Sequence, residues 1–271
     1  MRDSRDHGNV RPAAVAGRFY PGDAASLAAE VDAMLAATPA PGGPRPKALI
    51  VPHAGYVYSG PIAASAYRQL AGHPPPPRVV LIGPCHFVGL RGLALPDADA
   101  VETPLGRIAL DAELVRRAAA LPQVCVSAEA HAQEHSLEVQ LPFLQRALGE
   151  GFTLVPLVIG QAGPAAVAGA LAALWGDDDT LIVVSTDLSH YLPYAEARAL
   201  DEATARKILA GDGGFAGDQA CGAHGVRGFM QAAKQHKLTP RLLDLRSSGD
   251  TAGDRRRVVG YAAFAYTQEA P

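Results

Sequence analysis

Cysteine, tryptophan and net charge are all scarce in this 271-residue chain, which has three Cys, one Trp and 24 basic against 27 acidic residues. Cys85, Cys125 and Cys221 are odd in number and far apart, so they make no disulfide framework and fit a reducing cytoplasm. A formal net charge of -3 creates no field that would draw nucleic acid or an anionic membrane, which leaves a small-molecule or peptide ligand as the expected partner. No apolar run approaches the roughly 18 residues of a spanning helix, and the first nine residues lack the hydrophobic segment of an export signal. The expectation is a soluble, cytoplasmic protein.

What is abundant is apolar residues, at 48%, enough for a sizeable core in one domain. Residues 11–271 read as that domain and 1–10 as a disordered tail. Two stretches share one grammar. In Lys47-Ala48-Leu49-Ile50-Val51-Pro52-His53 and Arg78-Val79-Val80-Leu81-Ile82-Gly83-Pro84-Cys85-His86, a Val/Ile/Leu run reads as a buried parallel strand. Pro or Gly then ends the strand and leaves a histidine in the following loop. Such loops, at strand carboxyl ends, are where open α/β sheets bind ligands. A single crossover joining the two would bring His53 and His86 together over neighbouring strands.

The rest of the chain alternates in the same manner. Helices are expected over 24–38, 60–71, 134–148, 164–175, 194–210 and 224–237, with Asp111 capping another to about residue 121. The helix at 134–148 is expected to run through Pro142. Strands are expected around 93–95 and 106–110, either side of a turn at 103–106, and over 152–159, 180–185, 241–246 and 258–266. The last two, joined by a polar turn, make the sheet mixed. The expected fold is a three-layer α/β/α sandwich with a mixed, mainly parallel central sheet.

A lone histidine at a strand end ordinarily bonds its own loop. Two at equivalent strand ends, flanked by small residues, match the way imidazole sites for iron, copper or zinc are assembled. Asp187 and His190 share one loop, where a carboxylate can orient an imidazole acting as acid or base; otherwise Asp187 is a turn or cap residue. Ser189 lacks the Gly-x-Ser-x-Gly setting of a hydrolase nucleophile. Glu134, His135 and Glu138 open a helix, and His131 and His135 are spaced to share a face without making a zincin motif. Cys221 precedes a helix start, a setting that lowers a thiol pKa, whereas Cys125 between two valines reads as a small buried residue. Asp250, Asp254 and Arg255 to Arg257 read as a solvated turn, with oxyanion binding by the arginines as the alternative.

Taken together, these blocks resemble the Memo-like family, in the form of protein B of the bacterial AmmeMemoRadiSam system. The blocks are Gly17-Arg18-Phe19-Tyr20-Pro21, Val51-Pro52-His53-Ala54-Gly55-Tyr56, Gly83-Pro84-Cys85-His86, Glu134-His135-Ser136-Leu137-Glu138, Ser185-Thr186-Asp187-Leu188-Ser189-His190, Cys221-Gly222, and Ser248-Gly249-Asp250 through Val259-Gly260-Tyr261-Ala262. They span nearly the whole chain. The resemblance implies a fold related to class III extradiol dioxygenases. It implies His53, His86 and Cys221 as ligands of Fe(II), Cu(I) or Zn, with Asp187 and His190 catalytic and His135, Tyr56 and Cys85 in the pocket. It further implies a metal-dependent oxidoreductase or, in another class, a binding module using the same pocket for a peptide or partner protein. AMMECR-domain and radical-SAM proteins are the partners it suggests. Cys221 occupies the place where the resembling dioxygenases carry a carboxylate, which favours softer metals. Cys85 stands where a serine is expected, and Gly225 where a proline is.

Overall fold

The computed structural model describes residues 8–39 and 41–268. Its framework is a nine-stranded mixed sheet. The centre is four parallel strands in the order Ala48–Val51, Thr180–Ser185, Arg78–Pro84 and Thr153–Ile159. Antiparallel pairing takes over on both sides: Val258–Gln268 joins Ala48–Val51, and Leu93–Leu95 joins Thr153–Ile159. Beyond these lie Leu238–Ser247 and His190–Leu192 on one flank and Val124–Val126 on the other.

The central strands are hydrophobic on both faces because both faces are covered. Period-two alternation sends Ile50, Val80 and Ile82 into one core and Leu49, Val51, Val79 and Leu81 into the other. The first core is closed by the helices Ala112–Ala119, Pro164–Leu174, Tyr194–Ala210 and Ala223–Gln235. Ala24–Ala37, Tyr56–Tyr67 and Leu141–Leu148 cover the second. This is the three-layer sandwich.

Some expected elements come out differently. The helix expected over 134–148 is two, His135–Glu138 and Leu141–Leu148, with Pro142 in the first turn of the second. Proline has no N–H and clashes with the carbonyl four residues back, so it suits a first turn and not a helix interior. The break frees Gln140 to reach inward, where its Nε2 donates to Pro52 O at 2.8 Å and Ser185 Oγ at 2.9 Å.

The amino-terminal end is tied down from residue 9. Asn9 N–H donates to Asp99 Oδ2 at 2.8 Å, and Val10–Arg11 pairs in a separate three-stranded sheet with Ala100–Thr103 and Gly106–Ala109. The strand partner across the turn at 103–106 is therefore Ala100–Thr103; Leu93–Leu95 belongs to the main sheet. Of the expected tail, residues 1–7 lie outside those described. Buried Glu138 anchors this end, accepting from the Arg11 guanidinium, from the N–H groups of Ala14 and Val15, and from Tyr20 Oη. Cys125, expected buried, is exposed on the flanking strand.

Candidate metal centre

Three polar loops meet at the carboxyl ends of the central strands. His53 follows Ala48–Val51, Asp187 and His190 follow Thr180–Ser185, and His86 follows Arg78–Pro84. His53 and His86 do not sit over neighbouring strands as expected, because Thr180–Ser185 runs between theirs. Their ring centroids are nevertheless 5.3 Å apart. Cys221 arrives from the opposite layer, and the donor atoms of His53, His86 and Cys221 all lie within 4.8 Å of one another.

Glycine makes that approach feasible. A Cβ on Gly222 would lie 2.7 Å from both Ser185 O and Thr186 Cβ, so only a bare backbone can pass this close to the strand end. Gly222 N–H donates to Thr186 Oγ1 at 2.9 Å, and Asp187 N–H donates to Cys221 Sγ at 3.3 Å, which fixes the sulfur beside His53 Nε2 at 3.3 Å.

The hydrogen bonds also fix which ring nitrogen of each histidine is free. Ser185 Oγ gives its only hydrogen to Ser136 O at 2.6 Å and accepts from Gln140 Nε2. Its 2.8 Å contact with His53 must therefore be Nδ1–H donating, which leaves Nε2 of His53 a lone pair. His86 Nδ1–H donates to Glu134 Oε1 at 2.9 Å, and its own backbone N–H donates to Glu134 Oε2 at 2.6 Å. Its Nε2 is free as well. Burial opposes ionisation of Glu134, but these bonds and one from Ser136 N–H prevail and hold its carboxyl down to about 2.

Burial holds the His53 imidazole down to about 3, helped by the neighbouring His86, and His135 down to about 4. Both are therefore neutral, the form that binds metals. The Cys221 thiol is pushed up to about 12, by burial first and by Asp187 second. The sequence placed this thiol at a helix start that would lower its pKa; desolvation overrides the helix. A thiolate at this position calls for a cation beside it.

Asp187, buried, accepts the backbone N–H of His53 at 2.7 Å. Burial raises its carboxyl, while this bond and the neighbouring His190 and His135 pull it back. His190 and His135 line two joined cavities of about 740 and 690 Å³, which also share Asp187 and Tyr191. His135 stacks on His86 with centroids 4.7 Å apart, and its Nδ1 is buried without a hydrogen-bond partner. Its expected face-mate His131 is on another helix, Ala128–Ala132, and bonds Ala94 O at 2.8 Å through Nε2.

Two expected pocket residues lie elsewhere. Tyr56 is in the core against Phe143, its Oη donating to Val139 O at 2.8 Å; Tyr58, one position past the next residue, lines the cavity instead. Cys85 donates its thiol to Val88 O at 3.5 Å and lines neither cavity. Conversely, the residues that orient the histidines, Ser185, Gln140 and Glu134, were not singled out for that role from sequence. The available signal was their place inside or beside the blocks that hold His135 and Asp187.

An α/β/α sandwich with two lone-pair imidazoles and a thiol converging at its strand ends defines a class: a protein with a metal-type His/His/Cys donor set at the carboxyl edge of a mixed sheet. The comparisons with known proteins give the family. The family described as Memo-like protein matches residues 11–265. A "MEMO1 family protein" of Aquifex aeolicus is 36% identical over 268 residues, covering 95% of this chain and 99% of its own. Another, from Metallosphaera sedula, is 34% identical over 283 residues, again covering 95% and 99%. The chain belongs to the Memo-like family. A crystal structure of an uncharacterized protein from Escherichia coli K12 has a similar fold, with a TM-score of 0.51 at 16% identity, covering 81% of this chain and 99% of that one.

Proposed function

We propose that the protein is a metal-dependent, redox-active oxidoreductase in which His53, His86 and Cys221 hold Fe(II), Cu(I) or Zn in a dioxygenase-like pocket. The observation that carries this reading is the pair of fixed tautomers. Ser185 and Glu134 each occupy the Nδ1–H of one histidine, so both Nε2 lone pairs are available beside the Cys221 sulfur. The donors fit a borderline-to-soft ion, since two imidazoles and a thiolate suit copper, zinc and thiolate-bound iron better than a hard cation. Iron or copper, when bound, would supply one-electron exchange with a substrate or O₂, and zinc only Lewis acidity.

The chain's own contribution is orientation and proton transfer. His190, on the wall shared by the two cavities, would give or take a proton at a substrate atom, with the Asp187 carboxyl on the same wall. The exposed rings of Phe87, Tyr58 and Tyr191 at the rim would exclude water once a ligand is seated. The same apolar rim supports a second reading, a binding module for a peptide or partner protein.

Anaerobic loading with Fe(II) or Cu(I), followed by oxygen-electrode measurements with a reductant, tests the choice. Metal-dependent O₂ uptake that is lost in His190→Ala, with metal retained, supports the oxidoreductase. Loss of metal in that variant would make His190 a ligand. No O₂ uptake, together with peptide or partner binding that survives His53→Ala, would favour the binding module.

A further inference from the structure

Arg255, Arg256 and Arg257 form a run that the metal centre leaves unexplained. The first two are accounted for by neighbours. Arg255 lies 3.8 Å from Asp250 and stacks over Tyr194 at 4.4 Å, and Arg256 is paired with Asp254. Arg257 has no ion pair among the described residues. Its guanidinium instead lies over the Tyr191 ring, 5.1 Å from the centroid, on the wall of the 690 Å³ cavity that also holds His190, His135 and Asp187.

The shelf beneath it is an unusual piece of backbone. Tyr191 is one of two non-glycine residues at positive φ among those described, at 61°, and it sits where the register between His190–Leu192 and Val258–Gln268 slips. Bulges of this kind re-aim a side chain at the end of a pairing. Here the result is a tyrosine ring 61% exposed at the rim, adjacent in sequence to His190 and in contact with the guanidinium. Strained non-glycine backbone of this kind concentrates at functional sites. A planar guanidinium with one face on an aromatic ring keeps its edge donors free, which is the geometry that grips a carboxylate or phosphate with two parallel hydrogen bonds.

From this we infer that the cleft takes an anionic small molecule, one whose carboxylate or phosphate is held by Arg257 on its Tyr191 shelf while the rest of the ligand extends towards His190. The inference rests on the cleft being the substrate chamber of the proposed metalloprotein, and it specifies the class of substrate. The other carboxyls on the wall have partners of their own: Asp254 is paired with Arg256, and buried Asp187 accepts the backbone N–H of His53.

Calorimetric titration of the full-length protein with benzoate, phenyl phosphate and neutral benzyl alcohol tests this directly. The wild type is expected to bind at least one of the two anions tenfold or more tighter than the alcohol. Arg257→Gln should lose that preference, and Arg256→Gln should keep it within twofold, since diffuse surface charge would respond equally to both. The tighter of the two anions identifies the headgroup. No preference in the wild type, or equal losses in both variants, would overturn the inference. Metal content measured on the same samples separates it from the metal assignment, because Arg257→Gln is expected to retain metal at the wild-type level.

Discussion

Replacing Ser185 with alanine removes a single oxygen atom that three buried groups depend on. Ser136 O loses its donor, and His53 Nδ1–H and one N–H of Gln140 lose their acceptor. All three residues are essentially inaccessible, with His53 at 1%, Ser136 at 0% and Gln140 at 0% exposure, so water cannot substitute without opening the strand ends. An orphaned buried polar group costs about 1–3 kcal/mol. Gln140 keeps its bond to Pro52 O, so the net loss for Ser185→Ala is about 3–5 kcal/mol. The second effect falls on the metal. Once Ser185 no longer holds the proton on Nδ1, His53 can adopt either tautomer and rotate, and losses of the partner of a ligating histidine typically weaken metal binding about 10- to 100-fold. Urea unfolding of the metal-free protein reads the first quantity, and competition titration with a chelator reads the second. A variant destabilised by less than about 1 kcal/mol, with unchanged metal affinity, would refute the assignment of Ser185 as the residue that fixes His53.

Further outcomes follow from the same geometry. Gly222→Ala puts a Cβ 2.7 Å from the carbonyl oxygen of Ser185, and it should destabilise by about 1–3 kcal/mol and weaken metal binding by displacing Cys221; wild-type behaviour in both assays would contradict the close approach. Burial holds the His131 imidazole down to about 4, so between its ordinary value of 6.5 and pH 4 the unfolded chain takes up a proton that the folded one refuses. Stability of the metal-free protein should therefore be level above pH 6.5 and fall by about 3 kcal/mol by pH 4 from this residue alone, with His53 and His135 adding to the fall. Urea midpoints that stay constant from pH 7 to 4.5 would contradict it. Glu134→Gln removes the charge to which the backbone N–H and the Nδ1–H of His86 donate, and it should cost metal affinity about 10- to 100-fold by chelator competition while leaving the His53 side intact.

The sandwich was legible because strands buried on both faces, such as Arg78–Pro84 and Thr180–Ser185, announce themselves as unbroken apolar runs. Their order was not. Nothing local in Ala48–Val51 or Arg78–Pro84 says that a strand a hundred residues later inserts between them, so His53 and His86 were placed one strand too close. Leucine periodicity on both sides of Pro142 predicts one continuous helix, yet the breaker decides the outcome. At the site, the ligand-type side chains could be named from their loops. The residues that aim them could not, since Ser185 and Gln140 are ordinary polar residues until the fold brings them together. Tyr56 and Tyr58 illustrate the same limit: which of two tyrosines on the first turn of Tyr56–Tyr67 faces the cavity depends on the rotation of that helix against the sheet. The helix start after Cys221 is legible in the sequence, whereas the burial that raises its thiol pKa is not.

The central claim is that His53, His86 and Cys221 together hold one metal ion. Elemental analysis of the wild type and of His53→Ala, His86→Ala and Cys221→Ala, each purified without added metal and checked for fold by circular dichroism, tests it most directly. The account predicts bound iron, copper or zinc at close to one ion per chain in the wild type and loss of most of it in each variant, with the fold retained. Full occupancy in all three folded variants would contradict the ligand assignment.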